Sequence, residues 1–121
     1  MKIILTFLIL LILVPAFTQA ISNKEVPKYL FKIVSQESWQ KSQSLPNLIL
    51  CDNDKDFIHL STEAQAPKIA EKYWSGKNYI ILKIATAKLL GKLVLEANKP
   101  GGEEYYHLYN GSIPLSAIEQ N

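Results

Sequence analysis

Six residues of this chain have side chains that could do chemistry together: His59, Ser61, Thr62, Glu96, His107 and Tyr109. His59 interrupts the apolar run Phe57-Ile58-His59-Leu60, which leads straight into Ser61-Thr62. An imidazole there can serve as a hydrogen-bond partner or a general acid or base. The hydroxyls stand where a helix should begin, and the free N–H groups of a helix start favour anionic ligand groups such as phosphate. Glu96 closes the run Leu93-Val94-Leu95 and sits at its end. His107 and Tyr109 flank Leu108 in an aromatic stretch. A single cleft lined by His59, Ser61, Glu96, His107 and Tyr109 would be a small-molecule site. Two plainer readings stay open. His59 could be half-buried and bonded to backbone, and His107 and Tyr109 could alternate with a buried Leu108 and face water.

Other chemistry has weaker support. Asp52, Asp54 and Asp56 alternate ahead of Glu63 and imitate the spacing of a calcium loop. The position that such a loop reserves for glycine is Phe57, and its ninth position is Leu60. A solvated turn leading into the His59 strand is the expectation, and no metal site is assigned. Cys51 is the sole cysteine, so no disulfide forms within the chain. Its neighbours Leu48-Ile49-Leu50 predict a buried, unreactive thiol. A hydrolase using His59 or His107 as base would lack a nucleophile motif, since no GxSxG pattern is present.

The elements that must position these groups are short. Tyr29–Val34 reads as a first strand, and Ser35 can cap a short helix that carries Glu37 and Trp39. Leu48–Cys51 reads as another short strand. Thr62-x-x-Gln65 fits a capping box and opens a helix over Thr62–Trp74, whose apolar face is Ala66, Ile69, Ala70, Tyr73 and Trp74. Tyr79–Ile84 is a strong strand, expected at the centre of the sheet. Thr86–Leu90 reads as a helical turn closed by Gly91. Leu93–Glu96 and Tyr105–Tyr109 are further strands, and Asn110-Gly111 is a hairpin-turn signal. Asn110-Gly111-Ser112 also fits an N-glycosylation acceptor. Strands and helices that do not alternate as βαβ predict an α+β fold with a mixed, largely antiparallel sheet and two or three helices.

The N-terminus reads as an export signal. Lys2 is followed by the apolar run Ile3–Val14, broken only by Thr6, then Pro15 and small residues at Thr18 and Ala20. The expected organisation is a signal peptide at 1–20, cleaved after Ala20, a leader at 21–28 and a single domain at 29–121. That places the protein in the periplasm or outside the cell, away from the membrane after cleavage; the alternative is an uncleaved anchor. The formal charge of the whole chain is +2, with no arginine. This is no footprint for nucleic acid, and it leaves lysine, backbone N–H, histidine and hydroxyls to hold any anion. Oligomeric state is left open.

Four segments occur in order: Tyr-Leu-Phe-Lys-Ile at 29–33, Phe-Ile-His-Leu-Ser-Thr at 57–62, Leu-Glu at 95–96 before a Gly-Gly loop, and His-Leu-Tyr at 107–109 before Ile-Pro-Leu. Together they resemble the DUF952 family, small domains without an established activity, over about residues 28–119. The resemblance implies an ADP-ribosyltransferase-like fold. It further implies that His59 contacts the ribose of NAD with Ser61 or Thr62 beside it, that Tyr109 or Tyr106 stacks on the nicotinamide, and that Glu96 is the catalytic carboxylate. On this reading His59 and Glu96 are catalytic, and His59, Ser61, Thr62, His107 and Tyr109 bind an NAD-like ligand. The alternative is an exported binding module that keeps the pocket without the chemistry. The direction of Glu96, toward His59 or toward solvent, separates the two.

Overall fold

The computed structural model describes residues 25–120. The expected signal at 1–20 and residues 21–24 of the leader lie outside the described residues. Five strands and two α-helices form an α+β fold in which every strand pair is antiparallel: β1 (Tyr29–Ser35), α1 (Gln36–Ser42), β2 (Ile58–Leu60), α2 (Gln65–Tyr73), β3 (Tyr79–Ala85), β4 (Leu90–Ala97) and β5 (Glu104–Ser112).

β1 pairs with β3, and a separate ladder runs β2-β5-β4. A two-bond bridge joins them. Phe31 N–H donates to Ser61 O at 2.8 Å, and Ser61 N–H donates to Phe31 O at 2.9 Å. β5 is therefore the central strand of the ladder that carries the histidines. β3, expected at the centre, has β1 as its sole ladder partner among the described strands, plus the bridge from Ile84 to Ile118. Its apolar composition reflects burial of one face against the core rather than flanking by two strands.

Period-two alternation sorts the side chains. Ile58 and Leu60 of β2, and Tyr106 and Leu108 of β5, are buried in the core with Leu30, Val34, Leu82, Ile84 and Ile113. Burying such side chains contributes about 1.5–3 kcal/mol each. The alternate residues of the ladder, His59, His107, Tyr109 and Glu96, take the opposite face.

Each helix follows a turn closed by side-chain hydrogen bonds. Ser35 Oγ accepts from Ser38 N–H at 3.0 Å, and α1 follows at once. Thr62 and Gln65 make the reciprocal bonds of a capping box: Gln65 N–H to Thr62 Oγ1 at 3.3 Å and Thr62 N–H to Gln65 Oε1 at 3.1 Å. The regular helix begins after that turn and is shorter than 62–74. Ala66 and Ala70 are buried, whereas Tyr73 is 59% exposed and does not belong to the packed face.

Three loop expectations change. Leu48–Cys51 is extended but not a ladder strand; only Leu48 is buried, and its N–H reaches Ile113 O at 2.9 Å. The helical turn after β3 is a 3₁₀ turn over Thr86–Lys88, and Gly91 lies inside β4 rather than closing it. Asn110-Gly111 is not a hairpin turn either. It is a bulge within β5, since Leu90 pairs with Ser112 and Lys92 with Tyr109. Asn110 takes φ 49° there. A Cβ on Gly111 would overlap the Leu90 carbonyl oxygen, and one on Gly91 would lie 2.6 Å from Tyr109 O. Glycine is needed at both because the two backbones touch.

Candidate functional site

The site is built on one face of the β2-β5-β4 ladder. His59 and His107 are directly paired across β2 and β5, and their ring centroids are 5.5 Å apart at 73°. Val94 of β4 is opposite His107 on the other side. Two residues further along β4, Glu96 reaches back diagonally. Its Oε1 accepts from His107 Nδ1 at 2.9 Å and from the Tyr109 hydroxyl. Both donors hold the Glu96 carboxyl below the usual carboxylate range, Tyr109 more strongly than His107. The same hydrogen bond, aided by partial burial, pushes the Tyr109 hydroxyl up. Glu96 thus turns toward the histidine face and not away from it, with its side chain 36% exposed.

His59 is fixed from beneath by a group to which the sequence analysis gave no role. Asp54, at the end of a 3₁₀ turn, has a fully buried side chain. Its Oδ1 accepts from the His59 backbone N–H at 3.0 Å, from His59 Nδ1 at 3.1 Å and from Lys32 Nζ at 2.9 Å. Lys32 is 4% exposed and also donates to His59 O at 2.9 Å. Burial opposes ionisation of Asp54, but the His59 hydrogen bonds and the Lys32 charge outweigh it and hold the carboxyl well below the ordinary range. An ionised Asp54 accepts from Nδ1–H, so the neutral His59 ring keeps Nε2 as its free acceptor. With its side chain 42% exposed, that ring can meet a ligand.

The Asp52–Asp56 segment is therefore not simply a solvated turn. Asp52 and Asp56 are exposed, but Asp54 is folded inward. Among the described residues no three His, Cys, Asp or Glu side chains form a metal-holding group. Cys51, expected to be buried, is exposed. Its thiol donates to Asp54 Oδ2 at 3.1 Å, and partial desolvation together with the Asp54 carboxylate pushes it up, which disfavours the thiolate. The apolar run before it misled, because burial fades from Leu48 through the partly buried Ile49 and Leu50 and ends before Cys51.

Phe57 is the third residue whose role was missed. Its ring stacks on His107 at 4.0 Å and 26°, and lies 4.8 Å from His59 and 5.3 Å from Tyr109. Four residues named from the sequence therefore share one face: His59, Glu96, His107 and Tyr109. Thr62 does not join them. Ser61 is buried, and its backbone makes the bridge to β1. Thr62 caps α2 and lines a separate groove of about 340 Å³ with Tyr29, Phe31, Glu63 and Lys83. Tyr106, the other tyrosine considered for stacking, is on the core face and buried.

A family model described as "Protein of unknown function (DUF952)" matches residues 33–121. The chain belongs to the DUF952 family. The matched range includes Asp54, Phe57, His59, Glu96, His107 and Tyr109, and it begins one residue after Lys32. The DUF952 chain is also similar to a solved structure, protein CC0527 from Caulobacter crescentus, with a TM-score of 0.65 and 29% identity, covering 76% of this chain and 82% of that one. A double mutant of CC0527 gives a TM-score of 0.64 at 28% identity over the same shares. No curated protein matches it. Two signals in this DUF952 sequence could have revealed the buried pair. Lys32 alternates with Leu30 and Val34, so it occupies a core position of β1 and needs an anion. Asp54 precedes His59 by five residues, the right length for one turn back onto the strand.

Proposed function

We propose that this DUF952 domain is an exported protein that binds NAD or a related nucleotide on the His59 face and cleaves the nicotinamide–ribose bond, releasing nicotinamide and bonding the ribose carbon to an acceptor nucleophile or to water, in the manner of an ADP-ribosyltransferase-like enzyme. The observation that carries this reading is the direction of Glu96, whose carboxylate lies on the same face as His59. Breaking that bond builds positive charge on the ribose, and an ionised carboxylate beside it stabilises the charge. His59, held with Nε2 outward, would accept a hydrogen bond from a ribose hydroxyl. Tyr109 and Phe57 supply the aromatic surface for the base. One observation favours the non-catalytic alternative: Glu96 Oε1 is already engaged by two donors, His107 and Tyr109, as in a structural contact.

Thermal unfolding with NAD, ADP-ribose and nucleotides tests binding. A ligand at 100 times its dissociation constant adds about 2.7 kcal/mol of stability. Release of nicotinamide from NAD then separates the enzyme from the binding module, and no stabilisation by any of these ligands removes both. Export is checked by mass spectrometry of the periplasmic or secreted fraction, where Ile21 should be the new N-terminus. Full-length chain in the cytosol would contradict it. Among the described residues no helix is long and apolar enough to cross a membrane.

A further inference from the structure

The Phe31–Ser61 bridge joins the two ladders, so the outer strands of the assembled sheet are β3 and β4. The free edge of β3 is covered: Ile84 bridges to Ile118, and Glu119 N–H donates to Lys83 O at 2.8 Å. β4 has no such cover. Among the described residues β5 is its sole ladder partner, and no other backbone hydrogen bond reaches residues 92–97. That stretch is regular, since the irregular register lies ahead of it, between Leu90 and Lys92. It holds no proline, and an open edge of this kind is a template for another strand.

The strand best matched to this edge is β4 itself. Alternation sets Lys92, Val94 and Glu96 on the histidine face and Leu93 and Leu95 on the core face, where both leucines are only partly buried. Two copies of β4 laid antiparallel about a two-fold axis at Val94 put each Lys92 opposite the other copy's Glu96 and each Leu93 opposite the other copy's Leu95. Registers centred on Lys92 or on Glu96 put like charges opposite each other, which is destabilising. Within one chain Lys92 makes no ion pair among the described residues. The two donors to Glu96 both fall on Oε1, so Oε2 is open to a further cation.

We propose that the protein is a homodimer joined edge to edge through β4, and that Lys92 of the partner subunit pairs with Glu96 at the margin of the histidine face. Directly opposed Cβ atoms are about 4.5–5.5 Å apart, within reach of this pair. A two-fold axis normal to the sheet keeps like faces together, so the two histidine faces lie side by side. The interface stands on the open edge and its charges and is independent of the NAD reading.

Sedimentation equilibrium on the protein as isolated from the cell reads the oligomeric state, with circular dichroism to check the fold of each variant. The wild type is expected to dimerise, and a monomer at every concentration up to about 1 mM overturns the proposal. Lys92→Glu sets carboxylates against each other at both ends of the interface and should raise the dissociation constant at least about tenfold. Lys92→Gln removes the attraction without adding repulsion and should raise it less. A dimer indifferent to both substitutions overturns the pairing. Cysteine cross-linking with oxidised glutathione, in a Cys51→Ser background, reads the register. Val94→Cys faces its own copy and should form a disulfide-linked dimer. Lys92→Cys is offset from its counterpart by about 13 Å along the strand and should not. Any other cross-linking pattern in the folded variants overturns the two-fold axis at Val94.

Discussion

Asp54 Oδ1 is 3.1 Å from His59 Nδ1 and 3.0 Å from the His59 backbone nitrogen, so one oxygen fixes both the ring and the strand beneath it. The counter-charge is Lys32, whose ammonium is equally buried and spans from Asp54 to the His59 carbonyl. The outward face of His59 is therefore prepared by an ion pair behind it.

Removing one partner of that pair should be costly. Lys32→Met leaves the Asp54 carboxylate buried without its cation, and Asp54→Asn leaves the ammonium without its anion. Each is expected to destabilise the domain by about 3–5 kcal/mol. The double variant keeps a neutral acceptor for the His59 N–H and strands no charge, so its loss should be well below the sum. Urea unfolding of the four proteins measures the cycle, and strict additivity would contradict the coupling.

Acid should weaken the same contact. The folded Asp54 carboxyl titrates below its unfolded value of about 3.9. Its stabilisation is thus complete above that value and is lost as pH falls below it toward the depressed folded pKa. Unfolding free energy measured from pH 6 down to pH 2.5 should decline more steeply in the wild type than in Asp54→Asn. Parallel curves would show that Asp54 does not carry the acid sensitivity.

Glu96→Gln separates binding from chemistry. The amide keeps an oxygen for His107 Nδ1 and the Tyr109 hydroxyl but removes the charge. On the proposed reaction, nicotinamide release should fall by about 10²–10³-fold, with little change in NAD affinity. Unchanged turnover would move the catalytic role to another group.

The β5 bulge makes a prediction independent of ligand. Gly111→Ala would place a methyl on the Leu90 carbonyl, so the β4–β5 pairing must shift. A loss of about 1–3 kcal/mol is expected, read from the urea midpoint. A change confined to a few tenths of a kcal/mol would mean that the bulge relaxes freely.

Much of the fold was legible because period and capping are local properties. Alternation in Phe57–Leu60 and Tyr105–Tyr109 marked two strands, and Thr62 with Gln65 marked a helix start. Asn110-Gly111 misled for a physical reason. The same backbone freedom that closes a hairpin also permits a bulge, and only the partner strand selects between them. Tyr79–Ile84 misled because apolar content reports burial and not the number of neighbouring strands.

Of the candidate site, the sequence by itself determined the chemistry available: two imidazoles, one late carboxylate, tyrosine hydroxyls and no arginine. It also determined that His107 and Tyr109 share a face, since residues two apart on a strand must. Tertiary structure decided the rest. The register of β2 on β5 sets His59 against His107, and the diagonal reach from β4 brings in Glu96. Folding of the Asp52–Asp54 turn buries one carboxylate of three beside Lys32, 22 residues away. Such contacts arise from long-range pairing: alternation marks Lys32 as a core position that needs an anion, but it does not name Asp54 as that anion. Thr62 was drawn away from His59 in the same way: the capping turn ahead of α2 claimed it first.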